Sequence, residues 1–263
     1  MEAVTGVFAS KSTAERALAL LLSTGVPEKH VTLLTPQSIE AKTQLAPVDA
    51  TEQPGMGKAI GAVVGGSAGL TAGSLILAAI IPGVGPVTAI GLLGGALVGA
   101  AGAEVGARAG EKLEDSMTEG LPEDELFVYE DALRKGRSVV VAMAEDEASA
   151  SRFRELLKVE GAESVDAARE QWWIGLRSAE KEHYSSLGRN FSEDEKFYRL
   201  GFESALHART RCKEYDQVLS EMSAQVEDLE RQYPGVNAGE PFTHGYERGR
   251  DYYQAICNES KAA

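Results

Sequence analysis

Aromatic side chains are missing from 9–126, although Phe, Trp and Tyr make up 6% of the chain. A membrane element usually carries an aromatic belt where lipid meets water, and this stretch has none. Cysteine is nearly absent too. Cys212 and Cys257 form no CxxC pair and are too few for a disulfide framework. A reducing compartment follows as the expectation. Basic residues are outnumbered, 26 Lys and Arg against 40 Asp and Glu, for a formal net charge of −14. That excludes simple binding to a nucleic-acid backbone, which needs clustered cations. It also opposes electrostatic attraction to anionic lipid. The N-terminus, MEAVTGVFASKSTAERA, lacks a basic start followed by an apolar core, so no signal peptide is expected. The chain contains no GxSxG, no HExxH and no phosphate loop of the GxxxxGK type. Neither a cofactor nor a small-molecule substrate is expected, and the protein reads as a non-enzyme.

Glycine fills the gap that the aromatics leave. In GKAIGAVVGGSAGLTAGSLILAAIIPGVGPVTAIGLLGGALVGAAGAEVGARAG (57–110), Gly57, Gly61, Gly65, Gly69 and Gly73 recur every fourth residue. Gly91, Gly95 and Gly99 repeat the spacing, and so do Gly102, Gly106 and Gly110. No charge occurs from 59 to 103. Residues four apart stack on one helix face, so the spacing predicts two glycine-ridged helices, 59–81 and 87–103. At about 1.5 Å per residue they would be about 34 Å and 26 Å long. Both approach the roughly 30 Å of a bilayer core. Pro82 and Pro86 lack amide hydrogens, so PGVGP is the turn of this helical hairpin. Each interior glycine costs about 1 kcal/mol against alanine, so such helices need outside support. A bilayer provides it by forcing backbone hydrogen bonding. Packing against copies of the same chain provides it in water. Self-association through the ridge is expected either way, with insertion into the inner membrane from the cytoplasmic side as the first reading. A soluble homo-oligomeric scaffold, with the zippers buried between subunits, is the second.

The flanks read as α/β structure. VTGVFAS is a strand, and Ser12 with Glu15 forms a capping box for the helix that follows it. HVTLLTP is a second strand. Beyond the insert, LPEDE starts a helix, SVVVAMA is the clearest strand, and Asp146 caps another helix. A short strand near Ser164 closes the set. Two β-α-β units predict a ferredoxin-like sheet within an α+β fold, split between 1–36 and 121–168. Residues 37–56 read as a linker.

From 171 to 263 the chain reads as helical. Ser192 with Glu195 is another capping box, and Tyr215, Val218, Leu219, Met222, Val226, Leu229 and Tyr233 form an amphipathic stripe. A motif recurs, FYRLGFE (197–203) and FTHGYERG (242–249), sharing Gly-aromatic-Glu. A small residue beside an aromatic lets helices approach closely. Trp172 and Trp173 read as a packing anchor. Three histidines lie near carboxylates here, in the pairs Glu180/His183, Glu203/His207 and His244/Glu247. Their spacings match a carboxylate-bundle metal site. Acid-rich helices also produce them by chance, so these six are candidates in a third reading, a metal-binding helical module.

The stretches VFASKSTAERALALLLSTGVPEKHVTLLTP and GLPEDELFVYEDALRKGRSVVVAMAEDEASASRFRELLKVEGAESVD, around a glycine-rich middle, resemble the bacterial general stress protein 17M-like (heat-induced stress protein) domain. FYRLGFE and THGYERG are similar to elements of a helical extension found with such domains. The resemblance implies a stress-associated bacterial protein with a glycine-zipper insert, and no catalytic residues.

Overall fold

The computed structural model describes residues 2–36, 76–81, 84–90, 123–207, 210–211, 213 and 215–262. It is an α+β protein that divides into two compact units, up to 121 with 129–165, and 122–128 with 166 onward.

The first unit holds a six-stranded sheet. Strand β1 (Glu2–Phe8) leads through helix α1 (Lys11–Ser23) to β2 (Val31–Pro36). A hairpin follows, β3 (Ile76–Ile81) and β4 (Gly85–Ile90). Helix α2 (Leu126–Arg134), which belongs to this unit from 129 on, β5 (Ser138–Ala144), α3 (Glu147–Val159) and β6 (Glu163–Ser164) complete it. The strand order is β3-β4-β2-β5-β1-β6, and every neighbouring pair is antiparallel.

Alternation decides which residues meet. Val4 and Phe8 of β1, Val31 and Leu33 of β2, and Val140, Ala142 and Ala144 of β5 share one face. They form one core with Ala14, Ala17, Leu18 and Leu21 of α1 and with Ala150, Phe153 and Leu157 of α3. Gly6 lies on that same face. A Cβ there would meet the Ala162 Cβ at 2.8 Å, so glycine sets how closely the end of α3 approaches the sheet. The Thr5 hydroxyl points to the other face and lies 3.0 Å from the Tyr129 hydroxyl, which brings α2 to that side. Central β5 is buried at all seven positions.

The expected cap of α3 holds: Asp146 accepts from the Ser149 amide. Gly25 and Gly161 end α1 and α3 with positive φ. Other expectations need correction. The cap of α1 is Ser10, in extended conformation, which accepts from the Thr13 amide; Ser12 lies inside the helix. Glu15 pairs with Lys11 instead of closing a capping box. The first turn after Pro122, Glu123–Glu125, is 3-10, and α2 begins only at Leu126.

The largest correction concerns the insert. Residues 76–81 and 87–90 were expected in two helices, and they are strands. ILAAII is an apolar run ended by Pro82, and extended pairing gives its backbone partners along its whole length. Pro86 lies where β2 has already ended, since the β2 ladder stops at Pro36 opposite Val87. Its missing amide therefore costs the β2 ladder nothing. The predicted association glycines, Gly57, Gly61, Gly65, Gly69, Gly73, Gly91, Gly95, Gly99, Gly102 and Gly106, lie outside the described residues, as does the linker 37–56. Among the described residues no helix is long and apolar enough to cross a membrane.

The second unit is helical. It contains α4 (Val165–Ser186), α5 (Phe191–Ala205), α6 (Tyr215–Gln232) and α7 (Gly239–Ala262). Helix α4 starts directly after β6, earlier than the predicted 171. Asn190 caps α5 by accepting from the Ser192 amide, in place of the predicted Ser192. On α6 the stripe buries Val218, Met222 and Leu229 against Phe197, Phe242 and Tyr246, whereas Leu219 is exposed.

Candidate functional site

The repeated Gly-aromatic-Glu motif places α5 against α7 backbone to backbone. A Cβ on Gly201 would lie 1.9 Å from the Phe242 carbonyl oxygen, and one on Gly245 would lie 1.9 Å from the Tyr198 oxygen. The two motifs thus cradle each other reciprocally, each glycine under the aromatic residue three positions before the other glycine. Gly249 repeats the contact against Phe202, at 2.5 Å from its oxygen. Tyr198 meets Gly245 and Phe202 meets Gly249, so the two helices run in the same direction. Gly201 with Ala205, and Gly245 with Gly249, are small-xxx-small pairs on facing surfaces. At this separation, dispersion and Cα–H···O contacts act along the seam.

Large aromatics pack around the crossing. Trp172, Trp173, Tyr184, Tyr198 and Phe202 are all buried, which places the tryptophan pair in packing roles. Trp172 lies 4.7 Å from Phe127 between centroids, and this contact ties 122–128 to the helical unit. The predicted domain boundary had assigned that stretch to the sheet.

Polar groups are threaded through this apolar surround. Glu180 of α4 is 2% exposed, and its Oε2 accepts from the Tyr198 hydroxyl at 2.8 Å and from Arg248 Nε at 3.1 Å. One carboxylate therefore links α4, α5 and α7. Glu195 accepts from Trp173 Nε1 at 3.0 Å and takes both arms of Arg177 at 2.6 Å. The Arg177 guanidinium holds its carboxyl below the usual carboxylate range. Tyr184 donates to Asp194 at 2.9 Å. Burial, and then the carboxylate beside each phenol, push Tyr184 and Tyr198 well above the ordinary tyrosine range. Arg189 pairs with Glu240 and holds it down at about 2.

The six metal candidates do not converge. Glu180 is committed to Tyr198 and Arg248, and Glu203 to Arg199 at 2.6 Å. His183 and Glu247 are exposed, and His207 and His244 are half-buried. His244 reaches Glu247 only at 4.0 Å. Among the described residues no three His, Cys, Asp or Glu side chains gather to hold a metal ion. A cleft of about 320 Å³ lies between α4 and α5, lined by Asp166, Arg169, Glu170, Lys196, Arg199 and Glu203 among others. Within it Arg199 bridges Glu203 and Glu170, while Arg169 turns to Glu125 and Lys196 donates to the Tyr233 hydroxyl.

Sequence reasoning found the glycine motif and missed the carboxylates that face the aromatics. Trp173 and Glu195, or Tyr198 and Glu180, come from different helices, and no local spacing reveals them. Searches of protein-family models, curated proteins and solved structures found no match to this chain.

Proposed function

We propose that the chain is a non-enzymatic, cytoplasmic stress protein of the general stress protein 17M-like kind, that it self-associates through its glycine-rich insert, and that its first unit is ferredoxin-like. The order β2-β5-β1-β6, antiparallel throughout with α1 and α3 on the two crossovers, supports the fold part of this reading. The observation that carries the functional part is the β3–β4 hairpin. It joins the uncharged insert to the rim of the sheet, with β3 outermost among the described strands. An outer strand without charge is a template for pairing with another chain.

The hairpin also favours assembly in water over insertion. Strands at 76–81 and 87–90 leave at most 59–75 and 91–103 for uncharged helix. At about 1.5 Å per residue those stretches reach about 26 Å and 20 Å, short of the roughly 30 Å needed.

Sedimentation and carbonate extraction of the full chain test the reading, beside a Gly65→Leu, Gly95→Leu variant in the glycine ridge and a Leu77→Lys variant that puts a charge in β3. The expected result is a discrete soluble oligomer that each variant breaks down. An unchanged sedimentation profile would overturn association through the glycines. Full-length protein resisting carbonate in the membrane pellet would overturn the aqueous assembly and favour the inner membrane.

A further inference from the structure

Three oxidisable side chains of the helical unit stand in a row. Trp173 and Tyr198 have ring centroids 6.5 Å apart, and Tyr198 and Tyr184 are 4.8 Å apart. Trp172 adjoins the row, 6.1 Å from Trp173. Each of the three aims its single N–H or O–H at a different carboxylate: Trp173 at Glu195, Tyr198 at Glu180 and Tyr184 at Asp194, all between 2.8 and 3.0 Å. A buried indole or phenol needs only some acceptor, and most side-chain hydrogen bonds go to backbone or water. Carboxylates three times in succession ask for a chemical reason. One-electron oxidation supplies it. An indole or phenol that loses an electron becomes far more acidic, the phenol most of all, and a base already at hydrogen-bond distance can take the proton in the same step. The three rings are each at most 2% exposed, so a radical formed on them exchanges electrons with solutes only through the surrounding protein and not by direct contact.

We propose that Trp173, Tyr198 and Tyr184 form a proton-coupled relay that carries one oxidising equivalent through the helical unit. The equivalent comes from a one-electron oxidant in solution, and a thiol in solution discharges it. The oxidant gains one electron from Trp173, and the indole proton passes to Glu195, leaving a neutral indolyl radical. That radical takes an electron from Tyr198 and recovers its proton from Glu195, while the Tyr198 proton passes to Glu180. Tyr184 restores Tyr198 in the same way, with its own proton held by Asp194. The thiol then gives an electron to the Tyr184 radical, which recovers the proton from Asp194, and the thiol leaves as a thiyl radical and a proton. Only N–H, O–H and S–H bonds break or form. The relay does not depend on self-association.

Laser-flash oxidation of the full-length protein by photogenerated ruthenium(III) tris-bipyridine, with persulfate as electron acceptor, tests it. In the native chain the indolyl absorption should decay as a phenoxyl absorption rises, and more slowly in D2O than in H2O. In Tyr198→Phe the indolyl radical should persist and the coupled phenoxyl rise should be lost. Circular dichroism checks that the variant is folded. If it is not, Tyr184→Phe carries the test, with transfer from Trp173 retained and the hole halted at Tyr198. Indolyl decay that is equally fast in folded Tyr198→Phe, or that shows no solvent isotope effect in the native chain, would overturn the relay and leave these rings as packing alone.

Discussion

At Gly245, as at Gly201, a missing methyl group lets α5 and α7 meet backbone to backbone. A Cβ there would sit 1.9 Å from a backbone oxygen, which no side-chain rotation can relieve. Gly245→Ala should therefore destabilise the helical unit by about 1–3 kcal/mol, the usual cost of overpacking, or more. Gly175, in the middle of α4, gives the opposite case. Nothing lies within 4 Å of its Cβ position, so Gly175→Ala should stabilise the unit by about 1 kcal/mol through helix propensity alone. Thermal unfolding of the two variants reads both signs. The shared motif was legible in the sequence, and so was its use for close helix approach. The partners were not. Nothing in FYRLGFE says that its glycine meets the Phe242 carbonyl, or that Glu180, paired by spacing with His183, would turn inward to Tyr198 and Arg248.

At the scale of elements, strands and helices with a strong local signal were readable, and boundaries between two rival signals were not. Asp146 had no competitor as a cap, and α3 starts where it predicts. Ser10 and Ser12 compete for the start of α1, and Ser12 carried the better motif through Glu15. Tertiary structure decides for Ser10, because β1 runs to Phe8 and leaves Ser10 as the residue still extended, with φ −145°. Ser10→Ala should cost about 1 kcal/mol. Ser12→Ala should stay within about 0.5 kcal/mol of the parent, as for an ordinary surface change. Urea denaturation of the two variants measures the difference, and a loss at Ser12 with none at Ser10 would restore Ser12 as the cap. The insert failed for another reason. Glycine at every fourth position reports a helical period, but an apolar run such as ILAAII has no period of its own. What settles it is the edge of β2, which offers its backbone to β4 from Leu33 to Pro36.

Across the whole molecule, the two strand-helix-strand segments on either side of the glycine stretch were readable from their local signals. The reassignment of 122–128 to the helical unit was not, because it rests on Phe127 meeting Trp172. The sheet and the helices have separate cores. Differential scanning calorimetry should therefore resolve two transitions rather than one. Gly6→Val, which drives a side chain into Ala162, should lower only the first unit's transition, and Gly245→Ala only the second's. A single transition moved equally by both would show that the units unfold as one.

The parallel seam between α5 and α7 also sets a timetable. The two helices are not neighbours in the chain, since α6 lies between them. A ribosome making this protein delivers α5 long before α7, and domains fold as units during synthesis. Until Phe242 and Gly245 have emerged, the glycine face of α5 has no backbone to rest on, and Tyr198 lacks the seam that holds it. A cut or a premature stop anywhere between α5 and α7 would not trim the helical unit to a smaller one. It would leave a half-built groove of bare peptide and aromatic rings, the kind of surface that chaperones hold and proteases clear.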